Sequence, residues 1–219
     1  MTDTHTDDLL GATWIAEDDQ IVKWIRQTGK PFEPATTPWM LEQMSKNPDG
    51  AYVDVGASTG WFAVPMAKRG YKVIAFECNA RAIARLEANC ELNGVDITLH
   101  KAAATDKAGT VTFTYNPRLP LTSGGSLEHV AANRASETVA AVRLDDVVDT
   151  PVALLKIDVE GHELAVLRGA ADLIARSRPA MVLEANTPAH MDALSRWCAE
   201  SGYVWTRADD RNMLCLPES

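Results

Sequence analysis

The sequence has no long hydrophobic run and little positive charge. No apolar stretch approaches the roughly 20 residues that a membrane-spanning helix needs. The 21 Lys and Arg residues are outnumbered by 30 Asp and Glu residues, which gives a formal net charge of -9. Nucleic-acid binding requires clustered Lys and Arg against the phosphates, so this balance disfavours such a partner. Residues 1–14 are acidic where a signal peptide is basic and then apolar, so we expect a cytoplasmic protein that does not bind membranes.

Cysteine is also scarce. None of the four cysteines lies two to four residues from another, the spacing of a zinc clip, and we expect buried, reduced thiols at Cys78, Cys90, Cys198 and Cys215. The rest of the composition, with 46% hydrophobic and 23% charged residues, is ordinary for a globular protein. A chain of 219 residues can bury a core without help from disulfides or metals.

Two regions differ in their hydrophobic pattern. Residues 1–48 carry apolar and Trp residues at irregular helical spacing, in two groups separated by the Pro-rich stretch Lys30–Pro38. This pattern predicts an N-terminal helical arm of two helices. Because an arm this rich in Trp is unfavourable in water, we expect it to pack on the main domain, residues 49–219.

The main domain alternates short apolar runs with amphipathic segments, which is typical of a parallel sheet covered by helices. The predicted strands are Ala51–Val55, Lys72–Phe76, Ile97–His100, Ala153–Ile157, Ala180–Leu183, Val204–Arg207 and Met213–Leu216. The predicted helices are Trp61–Arg69, Ala80–Leu92, Glu163–Ala175 and Ala189–Ser201. The pattern therefore predicts a single doubly wound α/β unit.

One stretch departs from this alternation. Thr110–Tyr115 and Thr138–Arg143 alternate like exposed antiparallel strands, and they flank a polar loop, residues 116–136. The loop contains the small polar run Thr122, Ser123, Gly124, Gly125 and Ser126. Long loops in compact domains are usually functional or disordered. We expect this loop near the substrate, with disorder and a structural hairpin as the alternatives.

The segment Ala51–Phe62 indicates a small-ligand site, because a strand carrying Asp54 leads through a glycine turn into a helix. Gly56 allows a sharp turn and close approach to a ligand, and Gly60 allows strand and helix to pack closely. The turn lacks the middle glycine that admits a pyrophosphate, and the carboxylate before it would repel one. Glu77 ends the next strand, where a carboxylate can accept both ribose hydroxyls, although it could also be a solvated strand-end acid. Together these residues favour an adenosine ligand without phosphates.

Several segments resemble the FkbM family of methyltransferases. The resemblance runs from about residue 29 to residue 186, and Lys156–Glu163 is its most specific part. Its other segments are Val53–Phe62, Ala75–Asn79, Leu86–Asn89 with Leu92–Gly94, Ala103–Phe113 and Arg143–Asp146. Cys78 departs from the family pattern, which more often has proline there.

The resemblance implies the class I methyltransferase fold, a Rossmann-like, seven-stranded, mostly parallel sheet with helices on both faces, whose last strand is antiparallel. It implies S-adenosylmethionine as the cofactor. Asp54, Gly56, Ala57, Ser58 and Gly60 would then line its methionine part, and Glu77 and Asn79 its ribose. Ala103 or Ala104, with Asp106, would contact the adenine.

Methyl transfer to a hydroxyl needs a well-placed acceptor and a base to take its proton. Asp158 is the first candidate, since it ends a strand where open α/β sheets bind ligands. Glu160 and His162, on the turn into the next helix, are the other candidates. Alternatively, Glu160 only complements the helix dipole and His162 is a surface residue. A divalent cation held by Asp158 and Glu184, with Asn186, is a less favoured alternative to a site without metal.

These observations predict O-methylation of a hydroxyl group on a small molecule, such as a sugar or secondary metabolite. A nitrogen acceptor remains open. One rival is a nicotinamide-dependent oxidoreductase, which the missing glycine disfavours. The other is a protein that binds an adenosine ligand without catalysis.

Overall fold

The computed structural model describes residues 2–8, 10–119, 125–128 and 134–218. The strands are β1 (Thr4–Asp7), β2 (Ala12–Ile15), β3 (Ala51–Val55), β4 (Val73–Phe76), β5 (Thr98–His100), β6 (Ala103–Ala104), β7 (Gly109–Tyr115), β8 (Ala135–Val142), β9 (Val152–Ile157), β10 (Ala180–Glu184), β11 (Tyr203–Arg207) and β12 (Asn212–Pro217). The helices are α1 (Gln20–Thr28), α2 (Thr36–Lys46), α3 (Ala63–Lys68), α4 (Ala80–Asn93), α5 (Leu144–Val147), α6 (Glu163–Arg168), α7 (Ala171–Ser177) and α8 (Pro188–Glu200).

The central sheet has seven strands in the order β11-β12-β10-β9-β3-β4-β5. Strands β10, β9, β3, β4 and β5 pair in parallel, whereas β12 is antiparallel to both of its neighbours. The predicted fold class is therefore confirmed, including the antiparallel last strand. Strands β3 and β9 are buried along their whole length, which explains why they read as apolar runs without alternation.

Helices cover both faces of the sheet. On one face, α5, α6, α7 and α8 pack with alternate residues of β3 and β9, such as Val53 and Leu155. On the other face, α2, α3 and α4 pack with the intervening residues, such as Tyr52 and Leu154. Because successive strand residues point to opposite faces, each central strand supplies both hydrophobic cores.

One predicted helix is divided. The sequence pattern predicted a continuous helix over residues 163–175, but α6 ends at Arg168 and α7 begins at Ala171. A Cβ atom on Gly169, between them, would lie 2.0 Å from the carbonyl oxygen of Thr105. Asp145 then caps the new start, since its carboxylate accepts the backbone N–H of Leu173 at 2.8 Å. The helix is therefore interrupted at Gly169, where the backbone of residue 105 packs closely against it.

The N-terminal arm is only partly helical. Its two helices are α1 and α2, but the residues before them form a hairpin of β1 and β2, so the prediction of helical structure around Trp14 and Ile15 was wrong. The Trp14 ring stacks on that of Trp61 with centroids 4.2 Å apart, and Trp14 is fully buried. Burial of the indole, rather than helical periodicity, explains the apolar pattern here.

Two asparagines of α4 connect the hairpin to the helices that cover the central sheet. The side-chain amide of Asn89 accepts the backbone N–H of Ile15 at 3.0 Å, and that of Asn93 accepts the N–H of Thr13 at 2.9 Å. Asn89 also donates to the carbonyl of Thr59 at 2.8 Å. In the two-stranded hairpin, β2 pairs only with β1. On its other side the two asparagine side chains accept hydrogen bonds from its backbone N–H groups, so these groups are not left unpaired.

A small second sheet lies beside the central one. Its order is β6-β8-β7, with β7 and β8 antiparallel, as predicted for the two alternating segments. Thr122, Ser123 and Gly124 of the predicted substrate loop lie outside the described residues. None of the helices in the part of the chain that the structure describes is long and apolar enough to cross a membrane.

Candidate active site

A cavity of about 370 Å³ opens at the carboxyl ends of β3, β4, β9 and β10. This is the edge at which open α/β sheets bind their ligands. The lining residues come from the turns after these strands, from β6 and β7, and from the N-terminal arm. One end of the cavity is formed by the glycine turn and Glu77, and the other by a cluster of carboxylates around Lys156.

The glycine turn packs directly against the turn after β9. Gly56 has a φ of 81°, and a Cβ atom there would lie 1.9 Å from the carbonyl oxygen of Asp158. Gly60 has a φ of 87°, and its Cβ would lie 2.3 Å from Cδ1 of Leu86. Gly56, Ala57 and Ser58 line the cavity, whereas Gly60 does not. Gly60 therefore serves the packing of the turn against α4.

Glu77 connects the turns after β3 and β4. Its carboxylate accepts the backbone N–H groups of Ser58 at 2.9 Å and of Cys78 and Asn79 at 2.8 Å each. Burial raises the pKa of Glu77, and these three hydrogen bonds oppose that shift. These hydrogen bonds fix the carboxyl oxygens of Glu77 at the cavity wall, where lone pairs remain for further donors.

The remaining predicted cofactor residues divide into two groups. Asn79 lines the cavity and caps α4, since its side chain accepts the N–H of Arg81 at 3.0 Å. Ala103 and Ala104 form an apolar wall with Ala102, Phe113 and other neighbours. Asp106 is not among the lining residues, and its carboxylate forms an ion pair with Arg168 at 3.0 Å. The structure therefore does not bring Asp106 to this wall.

Asp54 supplies a test of which ligand the cavity suits. It is 1% exposed, and neither carboxylate oxygen has a hydrogen-bond partner among the described residues. Burial raises its pKa to about 6, although the charge of Lys156 opposes this shift. A buried carboxylate without donors suits a ligand that brings a positively charged or N–H group. It does not suit a pyrophosphate.

Asp158 and Lys156 form an ion pair at the other end of the cavity. The Lys156 Nζ lies 2.8 Å from Oδ2 of Asp158 and 5.0 Å from the centre of the Phe62 ring. Although burial acts in the opposite direction on both groups, their mutual attraction dominates: the pKa of Asp158 is lowered and that of Lys156 raised. Both groups are therefore charged at neutral pH.

Glu184 and Glu160 extend this cluster. Glu184 is 6% exposed and pairs with Arg211 at 2.5 Å, but burial and the nearby Asp158 charge raise its pKa. Glu160 accepts a hydrogen bond from the side chain of Asn186 at 3.0 Å. Among the described residues, no group of three or more His, Cys, Asp or Glu side chains is arranged to hold a metal ion.

His162, predicted as a possible base, is not among the residues that line the cavity. Its Nδ1 lies 2.5 Å from Oε1 of Glu128, and its Nε2 lies 2.8 Å from Oγ1 of Thr105. The neighbouring Glu163 accepts the backbone N–H groups of Val159 at 3.0 Å and Gly161 at 3.3 Å. His162 and Glu163 therefore stabilise the conformation of the turn after β9 without lining the cavity.

Sequence reasoning predicted that the N-terminal arm closes over the cofactor, but it did not identify which arm residues line the cavity. The arm residues that line it are Gln20, Ile21, Trp24, Phe32 and Glu33. Phe32 packs edge-on against Trp61 with ring centroids 6.0 Å apart. The arm is also tied to the glycine turn, because Thr59 donates a hydrogen bond to Asp19 at 3.0 Å. No local pattern in the arm marks these residues, since their partners lie far away in the sequence.

The sequence profile of the methyltransferase FkbM domain matches residues 54–204. The hexuronic acid methyltransferase AglP of Haloferax volcanii is 27% identical over 134 residues, which are 59% of this chain and 53% of that protein. The chain thus spans about half of that relative's length.

Solved structures share the fold. The FkbM methyltransferase of Methylobacillus flagellatus KT superposes with a TM-score of 0.56 at 19% identity, over 76% of this chain and 43% of that chain. The magnesium protoporphyrin IX methyltransferase of Synechocystis PCC 6803, solved with bound S-adenosylmethionine, has a TM-score of 0.52 at 13% identity, over 92% of this chain and 85% of that chain.

Proposed function

The chain belongs to the FkbM methyltransferase family, and on this basis we propose that it transfers the methyl group of S-adenosylmethionine to a hydroxyl group of a small molecule, such as a sugar. The observation that carries the proposal is the pairing of an unpartnered, buried Asp54 with a glycine turn that is tied to Glu77. This arrangement offers negative groups to a ligand that has ribose hydroxyls and positive charge but no phosphates.

The cavity residues fit this cofactor in three parts. Asp54, Gly56, Ala57 and Ser58 would hold the methionine part, with the Asp54 carboxylate accepting from its ammonium group. Glu77 and Asn79 would hold the ribose, and the apolar wall of Ala103 and Ala104 would contact the adenine. When bound, S-adenosylmethionine supplies an electrophilic methyl group on a good leaving group.

The same residues disfavour a dinucleotide. The turn reads Gly-Ala-Ser-Thr-Gly and so lacks the glycine that lets a pyrophosphate approach the backbone. Among the described residues that line the cavity, six carboxyl groups accompany two cations, Lys156 and Arg211, and Lys156 is already paired with Asp158. An anionic ligand would therefore find little uncompensated positive charge at this site.

The residues around Lys156 would form the acceptor end of the cavity. Asp158, predicted as the first candidate base, is fixed as a carboxylate by Lys156, and its lowered pKa makes it a weak base. We assign it, with Glu160, to orienting acceptor hydroxyl groups by accepting hydrogen bonds. His162 would act as a positioning residue for the turn that carries both.

A sugar acceptor is supported by the chemistry of this cluster and by one relative. Carboxylates and a guanidinium group close together can accept from and donate to several hydroxyl groups. AglP of Haloferax volcanii is named as a hexuronic acid methyltransferase. The Synechocystis structure, which contains S-adenosylmethionine, supports the choice of methyl donor for this fold.

Calorimetry tests the cofactor. S-adenosylmethionine should bind the purified protein, and NAD should not bind under the same conditions. Tighter binding of NAD would refute the assignment and favour an oxidoreductase.

Methyl transfer is then measured with labelled S-adenosylmethionine and a panel of methyl hexopyranosides, hexuronates and amines, with and without EDTA. We expect transfer to a hydroxyl acceptor that EDTA does not inhibit. Exclusive transfer to amines would replace the O-methyltransferase proposal, and binding without transfer to any of the three classes would favour a binding protein.

A further inference from the structure

Glu33 is a lining residue of the cavity that no step above uses. It lies between α1 and α2, in the N-terminal arm, outside residues 54–204 that match the family profile. Its Oε2 is buried and has no hydrogen-bond partner among the residues that the structure describes. Its backbone φ of 43° is unusual for a residue with a side chain, so the arm holds a strained conformation at this point.

The charged and polar groups around Glu33 come from three elements. Lys156 and Asp158 belong to the end of β9, and Asp209 and Asn212 belong to the turn into β12 and its start. On β3, the phenol of Tyr52 and the carboxylate of Asp54 are close enough for mutual electrostatic effects within the same cluster. Glu33 thus faces the acceptor end of the cavity from the arm's side.

These neighbours favour a carboxylate that changes its proton near neutral pH. Burial raises the pKa of Glu33 to about 7, while the charge of Lys156 opposes the shift and those of Asp158 and Asp209 reinforce it. A general base works best when its pKa lies near the working pH. The ion-paired Asp158 does not meet this requirement.

The other carboxylates at this end already have partners. Asp158 is bound to Lys156, Glu184 to Arg211, and Glu160 to Asn186. Asp54 is also without a partner, but it stands beside the glycine turn, where the proposed cofactor needs it. Glu33 has a buried, uncommitted oxygen at the acceptor end.

We propose that Glu33 is the catalytic base that takes the proton from the acceptor hydroxyl group, an inference that rests on the proposed function. The proton moves from the acceptor oxygen to Glu33 Oε2. As it leaves, the acceptor oxygen forms a bond to the methyl carbon, and the electron pair of the broken carbon–sulfur bond stays on the sulfur. The arm therefore completes the active site, held there by the contact of Phe32 with Trp61.

The test compares Glu33→Gln and Glu33→Asp with Glu17→Gln, an exposed glutamate of the same arm. With the fastest methyl hexopyranoside acceptor, kcat should fall by roughly 10²- to 10⁴-fold in Glu33→Gln. The rise of kcat with pH near 7 should disappear in this variant and persist in Glu17→Gln. Glu33→Asp should retain part of the rate, because the shorter side chain keeps the base but moves it.

Two measurements do not depend on turnover. The affinity for S-adenosylmethionine, measured by calorimetry, should change less than about threefold in Glu33→Gln, since the base contacts the acceptor. Carbon-13 NMR of the side-chain carboxyl groups in cofactor-free protein should show a glutamate signal that titrates near pH 7 in the parent and is missing in Glu33→Gln. Burial also raises the pKa of Glu163 to about 7, so a second such signal should persist in Glu33→Gln and be missing in Glu163→Gln.

The outcomes separate the two levels of inference. A parent that does not bind S-adenosylmethionine overturns the proposed function and the role of Glu33 with it. A parent that methylates its acceptor while Glu33→Gln keeps the parent's rate and pH profile overturns the role of Glu33 alone. If no glutamate signal that titrates near pH 7 is lost in Glu33→Gln, the role of Glu33 is also overturned, whether or not an acceptor is turned over.

Discussion

The close contact between Gly56 and the turn after β9 leads to a prediction that separates two roles of glycine. Gly56 and Gly70 have nearly the same positive φ, 81° and 84°. A Cβ atom on Gly70 would have nothing within 4 Å, whereas one on Gly56 would lie 1.9 Å from the carbonyl oxygen of Asp158. Alanine at Gly70 therefore reports the cost of the left-handed conformation alone.

The expected magnitudes follow from this comparison. Alanine in the left-handed region costs about 1 to 2 kcal/mol, and this is the whole cost that we expect for Gly70→Ala. For Gly56→Ala, the overlap is with backbone, so either the glycine turn or the turn at Asp158 must move. Overpacking of this kind adds about 1 to 3 kcal/mol, so we expect a total of about 2 to 5 kcal/mol.

Urea unfolding at pH 7.5, followed by circular dichroism, measures both free energies of unfolding. Calorimetry with S-adenosylmethionine measures the second consequence, since movement of the turn should weaken binding at least tenfold in Gly56→Ala and hardly at all in Gly70→Ala. If the two variants lose the same free energy of unfolding and bind alike, the contact with Asp158 does not shape the cofactor turn.

The remaining predictions concern single side chains. Glu77→Ala should weaken S-adenosylmethionine binding in calorimetry by about 1 to 3 kcal/mol, because the ribose loses a charged acceptor and the turn loses its anchor; unchanged affinity would remove Glu77 from the site. His162→Ala should lower kcat less than about tenfold in the methyl-transfer assay, since its ring nitrogens are bonded to Glu128 and Thr105, which do not line the cavity; a loss of a hundredfold would restore it as a base. Folding raises the pKa of Glu33 from 4.5 to about 7, so the parent loses stability as pH rises through this window. Urea unfolding should therefore show Glu33→Gln gaining at most about 3 kcal/mol over the parent between pH 4 and pH 8, with no such trend in the exposed control Glu91→Gln. Asn89→Ala should cost about 1 to 3 kcal/mol in urea unfolding, because the N–H of Ile15 and the carbonyl of Thr59 lose their partner; a neutral result would show that water replaces the amide.

The local sequence pattern was sufficient to predict most of the main domain. Buried parallel strands need continuous apolar runs, and the helices between them need a periodic apolar face, so both are visible in short windows. The boundaries of α4 can also be predicted from the sequence, because Asn79 is a typical N-cap residue and Gly94 a typical residue after a helix end. The glycine turn and Glu77 were recognisable because one strand, one turn and the next strand end lie within about 25 residues.

Contacts between distant segments decided the rest. The break between α6 and α7 depends on the approach of the Thr105 carbonyl to Gly169, and the position of His162 depends on Thr105 and Glu128. The hairpin in the arm is stabilised by Asn89 and Asn93, which lie more than 70 residues further along the chain. The local sequence of each affected segment does not show which distant residue will contact it.

The active-site cluster shows the same division. Asp54, Asp158 and Glu184 could be placed at one edge of the sheet from the sequence, because they end or follow parallel strands. Their charge states could not, since each pKa depends on burial and on neighbours such as Lys156 that only folding brings near. Glu33 has no strand, helix or motif to mark it, and only the packing of the arm over the sheet edge places it in the cavity. The sequence by itself therefore determined the fold and the glycine turn, and the tertiary structure decided which carboxylate is left without a partner at the end of the cavity that we propose for the acceptor.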